Sequence, residues 1–414
     1  MNRWRWLRSI APLPVAAAAG AVAASLLGDQ MLYVVMSARP DAWGLSAAAV
    51  GVLLSVNRFV RLASNPLAAV AVNRWGWRGP FAAAMALAVA VTLVYGWATA
   101  FWVLLLARLG WGIAWSALRL GGQWTVLDAA TDDNRGLLMG SYSAITRLGG
   151  LGGAVLGGVL SDAIGHEWTL TIFAIVIGLA GVSWYRATRE LAATDPIPVS
   201  ASAARGGLGE VLRDVRLLAV SVSGLLVGLV FAGVIGASLG FLLREQYGEE
   251  ISLGSAIIGV ASFTGLLIGL RGLLNIVTAP LAGALSDRFG RIRGTTVALL
   301  VAGLGTAALA LTSSIWLLVI VIIVTFAAST AALVQLQTAA GDLARPDRRA
   351  AVLSTYATFQ DLGAAIGPLV GLSWGSLGAL QAILLVCAAL LIATAIAFRR
   401  VMQRAPSTIA SVRG

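Results

Sequence analysis

The sequence predicts an all-α membrane protein: 12 transmembrane helices in two pseudo-symmetric halves, with both termini cytoplasmic. Three observations carry the prediction. Of 414 residues, 59% are hydrophobic and only 11% charged, with a mean hydropathy of +0.88. A soluble domain carries roughly 25% charged residues, so this chain has too few to cover a water-facing surface. Apolar runs long enough for a helix to cross a hydrocarbon core of roughly 30 Å recur along its whole length, and its second half repeats its first in register. A soluble enzyme, a nucleic-acid binder and a secreted domain are thereby excluded.

Read against Gly, Pro and charged punctuation, the apolar spans fall near 11–37, 46–72, 80–100, 102–127, 137–163, 168–188, 214–242, 254–282, 295–313, 316–340, 351–374 and 378–398. The first imitates a secretory signal, because Arg3, Arg5 and Arg8 precede an Ala-rich run. Its apolar stretch continues to Met36, longer than a signal core, so it reads as a retained helix. After the sixth span a polar segment from Thr188 to Arg213, with Pro196, Pro198, Gly206 and Gly207, divides the chain. The organisation is therefore 1–188, a linker 189–213, a second half 214–398 and a tail 399–414.

All 29 basic residues are arginines, and their placement decides orientation. Segments on the side of the termini hold 21 of them; the opposite loops hold only Arg39 and Arg244. The net charge of +11 is therefore mostly topology rather than a nucleic-acid patch. A single cysteine, Cys387, allows no intrachain disulfide, and the single histidine, His166, allows no multi-His metal site. His166, beside Glu167, reads as solvated in an outer loop, and Trp43, Trp102, Trp168, Trp316 and Trp374, near span ends, read as interfacial anchors.

From Pro66 to Gly157 the first half aligns without gaps with the second at an offset of 214 positions. Pro66-Leu67-Ala68 recurs as Pro280-Leu281-Ala282, and the same offset pairs Arg74 with Arg288, Trp102 with Trp316, Gln123 with Gln337 and Asp128 with Asp342. It continues through Tyr142 and Tyr356 to Gly149 and Gly363, Gly153 and Gly367, Gly157 and Gly371. Such a parallel repeat implies duplication.

With these residues in view, the chain resembles the major facilitator superfamily over essentially its whole length. The most specific element is Gly283-Ala284-Leu285-Ser286-Asp287-Arg288-Phe289-Gly290-Arg291 between the eighth and ninth spans, similar to that family's loop signature. Its mate between the second and third spans is degraded, with Ala69 for the Gly, Asn73 for the Asp and Trp77 for a basic residue. Ala107-Arg108-Leu109-Gly110 in the fourth span resembles the arginine motif of proton-coupled members. Gly149, Gly153, Ala154, Gly157 and Gly158 in the fifth resemble the motif associated with antiporters; tight helix packing explains the same spacing. The resemblance implies two six-helix bundles around a central cavity that opens alternately to each side, with Asp287 and Arg288 as gating residues.

Charged side chains within spans are costly and mark functional candidates. They are Asp29, Arg58, Arg61, Arg108, Arg119, Arg147, Arg271 and Asp361. Guanidinium groups stay protonated at physiological pH, so an excess of them calls for an anionic or strongly hydrogen-bonding visitor. Asp29 and Arg108, both in the outer part of the membrane, are expected to pair, either as a proton-coupling site or as a structural ion pair. Arg58 and Arg61 share one face of the second span, and Asp361 at similar depth is expected to bridge to one of them, as a gate or a permanent bridge. Arg147 with Arg271 and Asn275 forms either an anion seat or the lining of a wet cavity. Trp111, Trp115 and Arg119 at spacing four suit an aromatic anion, or the tryptophans merely pack; Gln335 and Gln337 in the tenth span add hydrogen-bonding capacity.

The function expected is a proton-coupled antiporter of a bacterial inner membrane, exporting a small organic, anionic or drug-like solute. It needs no cofactor beyond the proton gradient, carries out no enzymatic chemistry, and is expected to be a monomer in the lipid bilayer. Uptake by symport or facilitated diffusion, lipid flipping and a non-transporting membrane sensor are the alternatives.

Overall fold

The computed structural model describes residues 12–131, 133–189 and 201–404. Arg3, Arg5 and Arg8, most of the linker and the end of the tail lie outside them. Twelve long helices appear among the described residues: α1 Leu13–Ala38, α2 Ala47–Trp75, α3 Arg78–Trp97, α4 Phe101–Ala129, α5 Arg135–Ile164, α6 His166–Thr188, α7 Val215–Tyr247, α8 Val260–Phe289, α9 Arg291–Leu311, α10 Ile315–Leu343, α11 Arg349–Leu372 and α12 Leu377–Arg404. Eleven are long and apolar enough to cross a membrane. The exception is α11, whose Gln360, Asp361 and Pro368 dilute its apolar run.

Three features depart from the sequence reading. The segment expected to open the eighth span at 254 forms a β-hairpin, β1 Glu250–Leu253 paired antiparallel with β2 Ala256–Gly259. Gly254 at φ +67° begins its two-residue turn, a backbone position that favours glycine. Short apolar runs do not distinguish strand from helix by periodicity, so the hairpin was hidden in Ile257 and Ile258. Second, α7 contains a π-helical stretch, Gly228–Ile235. Third, part of the linker is a helix, Ala201–Arg213.

The chain divides into two compact units. The first comprises residues up to Val199 together with Ala237–Gly269, and the second comprises Ser200–Gly236 and residues from Leu270. The C-terminal third of α7 and the N-terminal third of α8 therefore belong to the first unit, although they come from the second half of the sequence.

In the first unit α1 is the buried axis, and α5 packs along it through its glycines. A Cβ added at Gly149 would lie 2.2 Å from the Ala23 carbonyl oxygen, and one at Gly153 would lie 2.6 Å from that of Leu27. Gly157 meets Met31 in the same way, so any side chain on this stripe would push the helices apart. Gly158 abuts the Ala261 carbonyl at the start of α8, and Gly265 abuts that of Ala154. The antiporter-like glycines are thus packing residues.

The second unit repeats the device: Gly363 meets Leu225, and Gly367 meets Leu229 and Gly233. These contacts reset the repeat register to 202 positions for α1 and α7, since Ala23 corresponds to Leu225 and Leu27 to Leu229. The difference from 214 is taken up by the longer α7 and the hairpin. At the base of this unit Val211 of the linker helix packs with Leu217, Ala344 and Val352 in a buried cluster.

Candidate functional site

The first unit brings Asp29 and Arg108 together. Arg108 Nη1 donates to Asp29 Oδ1 at 2.7 Å, and the two side chains are only 1% and 3% exposed. Close packing explains how α4 comes near enough: a Cβ on Gly112 would strike the Asn57 carbonyl oxygen at 2.6 Å, so the glycine one turn beyond Arg108 lets α4 sit directly on α2. Arg108 Nε donates to the Leu53 carbonyl at 3.0 Å, while its guanidinium faces the rings of Tyr33 and Tyr95 at 5.6 and 5.7 Å. Its Nη2 is buried without a hydrogen-bond acceptor among the described residues. A guanidinium cannot relieve this by losing its proton, so the site depends on the carboxylate.

Three residues the sequence did not single out complete the arrangement. Asn57, fully buried, donates Nδ2–H to Asp29 Oδ1 at 3.3 Å, and Gln30 donates to Asp29 Oδ2 at 3.1 Å. Tyr33 donates its hydroxyl to the Leu54 carbonyl at 2.9 Å and accepts from Arg58 Nε at 3.1 Å. Arg58 is thereby joined to the same cluster, its guanidinium 5.2 Å from the Tyr33 ring. Arg61, one turn on, lies 5.5 Å over the Trp115 ring. Both arginines are half-buried.

The remaining predicted residues disperse. Trp111 is buried at 1% exposure, its ring 6.2 Å from that of Trp115, so Trp111 packs while Trp115 stays partly open. Arg119 and Arg147 are exposed on the first unit, and Asp361 is exposed on the second. Burial therefore holds for Arg108 but not for all the intramembrane cations. In the second unit Gln335 is buried, 3.5 Å from the Ala282 carbonyl and close against Gly294, whereas Gln337 is exposed. Asn275 accepts from the Thr330 hydroxyl. Arg288 is exposed, and the side chain of Asp287 lies outside the described residues.

Arg271 shows what became of the site in the second half. By the repeat registers it occupies the place of Asn57, while Phe231 stands for Asp29 and Ile322 for Arg108. Its Nη1 donates to the Phe231 carbonyl at 2.9 Å, within the π-helical stretch, and its guanidinium lies 5.4 Å from the Phe326 ring. The charge pair exists in one half only. The degraded loop signature, by contrast, keeps its contact: Trp77 Nε1 donates to Asp128 at 2.7 Å, as its repeat mate Arg291 pairs with Asp342. An indole donor replaces a guanidinium.

A second polar cluster ties the C-terminal end of α7 and the N-terminal end of α8 to α5 and the end of α1 within the first unit. Asp162, from α5, forms an ion pair with Arg39 at 2.9 Å and accepts from both the backbone N–H and the hydroxyl of Ser262, at 2.7 and 2.6 Å. It thus caps the first turn of α8 with a negative charge, where the helix dipole favours one. Arg244 pairs with Asp41 and, at 3.0 Å, with Glu249. Arg244 beside Asp41 holds its carboxyl below the usual 3.8, with the hydrogen bond as the largest cause. Arg39 and Arg244 had been counted only as topology. Nearby, Trp43 is fully buried rather than interfacial, donating Nε1–H to the Tyr95 carbonyl at 2.7 Å. His166 stacks on it with ring centroids 3.9 Å apart, rather than being solvated. Trp102, Trp168, Trp316 and Trp374 are exposed.

The Major Facilitator Superfamily model matches residues 18–271 and 260–414. An uncharacterized MFS-type transporter, YdeG, of Bacillus subtilis is 32% identical over 155 residues, 37% of this chain and 33% of that protein. A triacylglyceride transporter of Mycolicibacterium hassiacum is 32% identical over 39% of this chain and 29% of its own. The chromaffin granule amine transporter of Homo sapiens is 25% identical over 61% and 46%. The matched segments thus span about a third to a half of these relatives' lengths. Among solved structures, a bacterial homolog of the human lysosomal transporter Spinster superposes with a TM-score of 0.78 at 17% identity, covering 97% of this chain and 98% of that one. The nucleoside transporter NupG does so with a TM-score of 0.78 at 13% identity, covering 95% and 100%. Together with the eleven helices long and apolar enough to cross a membrane, the match across the chain identifies it: the chain belongs to the Major Facilitator Superfamily.

Proposed function

We propose that the protein is a proton-coupled antiporter of a bacterial inner membrane, with cytoplasmic termini, that exports a small organic solute by alternating access. The observation that carries this reading is the buried Asp29–Arg108 pair. A proton arriving at Asp29 removes the charge that holds Arg108, leaving a buried guanidinium whose direct acceptors, the neutral carboxyl and the Leu53 carbonyl, no longer balance it. Breaking a buried pair in this way costs about 3–5 kcal/mol, enough to shift a two-state equilibrium by a hundredfold or more. The strain falls on the contacts among α1, α2 and α4, which Asn57 and Gly112 hold close.

Alternating access also requires the outer ends of α7 and α8 to leave α1 and α5 and return. The Asp162–Ser262 cap and the Arg244–Asp41 pair are the contacts that such a movement breaks. Asp41 is largely exposed, so water replaces its partner when the Arg244–Asp41 pair parts, whereas the Asp162–Ser262 cap is mostly buried and is the firmer of the two contacts.

The test is proton movement in vesicles on addition of candidate solutes. Solute-driven proton movement that disappears in Asp29→Asn supports antiport. Solute flux with no proton movement, unchanged in Asp29→Asn, moves the protein to facilitated diffusion.

A further inference from the structure

We infer that the groove between α3 and α6 binds an anionic glycerophospholipid of the surrounding bilayer, with an acyl chain along the groove and the phosphate at Arg186 and Arg189. The inference rests on the chain crossing a membrane and not on proton coupling at Asp29.

The groove exists because small residues face each other across two antiparallel helices. α3 contributes Ala82 and Ala86, and α6 contributes Gly178 and Gly181. Gly181 lets α6 close on Met85, where an added Cβ would come within 3.2 Å of the Met85 methyl group. At Gly178 the helices stand apart, and a Cβ there would meet only Val89, at 3.8 Å. The space so left measures about 440 Å³, within the range of small-molecule sites. Trp184 closes one end and is held by stacking on Phe81, with ring centroids 4.1 Å apart. The surrounding surface is apolar and exposed at Ile175, Leu179 and Val182, which in a membrane-spanning chain is a surface against lipid.

The dimensions suit one leaflet. Arg186 stands nine residues beyond buried Ile177, about 14 Å along the helix. Half of a hydrocarbon core of roughly 30 Å has nearly that depth.

The polar end of the groove carries charge of one sign. Arg186 and Arg189 line it, both exposed, and none of its lining residues is acidic. Arg186 has no hydrogen bond or ion pair among the described residues. Tyr185, 61% exposed, adds a hydroxyl at the same level, and the buried Nε1–H of Trp184 has no acceptor among the described residues. Donors and positive charge at the mouth of an apolar slot call for a group rich in oxygen, negatively charged and attached to a chain. An anionic phospholipid is the molecule of the bilayer with that build. A zwitterionic lipid brings an ammonium group that the arginines repel.

The second half of the chain lacks this opening. Carried on to α6 and α12, the offset of 214 pairs buried Ala174, Ile177 and Trp184 with buried Ala388, Leu391 and Phe398. It places Ile392 where Gly178 stands and Gly303 where Val89 stands. Ile392 fills the space there, so close that a Cβ added to Gly303 would lie 2.9 Å from its Cγ1. Arg400, the mate of Arg186, therefore ends a helix whose corresponding slot is closed, and with Arg399 it provides a control for surface charge alone.

Binding is measured on the full-length protein, purified in an uncharged detergent and stripped of lipid, by counting bound molecules with native mass spectrometry. The probes are dioleoylphosphatidylglycerol, dioleoylphosphatidylcholine and the chainless glycerol 1-phosphate. The phosphatidylglycerol is expected to bind at least about tenfold more tightly than the phosphatidylcholine, and glycerol 1-phosphate is expected not to compete. Arg186→Gln/Arg189→Gln should bring the two lipids within about threefold of each other, while Arg399→Gln/Arg400→Gln keeps the full preference. Gly178→Leu, and Ala86→Leu from the opposite wall, fill the slot and should each weaken phosphatidylglycerol about tenfold without lowering the melting temperature of the lipid-free protein. Equal binding of both lipids, a preference that survives Arg186→Gln/Arg189→Gln or falls as far in Arg399→Gln/Arg400→Gln, or full binding in both slot-filling variants overturns the site. Competition by glycerol 1-phosphate marks a site for free phosphate, and a lipid-free dimer that Gly178→Leu dissolves marks a second copy of the chain as the occupant. Either result also overturns the lipid proposal.

Discussion

Replacing Asp29 with Leu should destabilise the protein by about 4 kcal/mol, and replacing Arg108 with Met in the same chain should restore most of the loss. Both side chains are nearly solvent-free, 1% and 3% exposed, and joined at 2.7 Å. In Asp29→Leu the guanidinium keeps the Leu53 carbonyl and two aromatic faces, but Nη1 joins Nη2 in lacking an acceptor. Removing one partner of a buried pair costs about 3–5 kcal/mol, whereas exchanging both for apolar residues of similar volume is often neutral. The double variant Asp29→Leu/Arg108→Met should therefore fall within about 1 kcal/mol of the unmodified protein, several kcal/mol short of the sum of the two single losses. Reversible unfolding in mixed micelles, followed by tryptophan fluorescence, measures the four corners of the cycle. Additive losses, with the double variant the least stable, would refute the pairing as the element that stabilises α1 against α4.

Other outcomes follow from the same contacts. Gly153→Leu places a side chain where a Cβ already lies 2.6 Å from the Leu27 carbonyl oxygen, so the first unit should fail to pack and yield of folded protein should collapse, while Gly150→Ala, with only Gln30 at 3.8 Å, should be neutral. Trp77→Phe removes the donor to Asp128 and should cost about 1–2 kcal/mol, whereas Trp77→Arg, which restores the guanidinium of its repeat mate Arg291, should recover it; thermal melting of the three proteins decides. Because Arg244 holds the Asp41 carboxyl below 3.8, the pair's contribution is present above that pH and fades as pH falls through the lowered value. Thermal stability should accordingly hold its pair contribution from pH 8 to 5 and lose it on further acidification, and Arg244→Gln, which has no such pair to lose, should show a smaller fall on the acid side.

What the sequence made legible has a physical pattern. Asp29 and Arg108 stood out because charges are rare inside apolar spans, and opposite charges at similar depth had few other partners. Asn57, Tyr33 and Gln30 did not, since uncharged polar residues are common in such helices and their role depends on helix rotation. The repeat located the glycine stripes and the Asp128–Asp342 equivalence, but not that an indole would take over from a guanidinium. Counting arginines by side of the membrane gave an expected orientation and, by the same step, hid Arg39 and Arg244 as partners of Asp162 and Asp41. Trp43 and His166 were misplaced for a local reason: the turn Pro40–Trp43 folds the chain back, so a residue near a span end becomes buried against Tyr95.

The central claim is that Asp29 exchanges protons as solute moves. Purified protein in vesicles with an imposed pH gradient and a trapped pH dye, challenged with a panel of organic anions, cations and neutral compounds, measures it directly. The account predicts solute-triggered proton movement in the unmodified protein that is absent in Asp29→Asn. Proton movement that survives Asp29→Asn unchanged would contradict it.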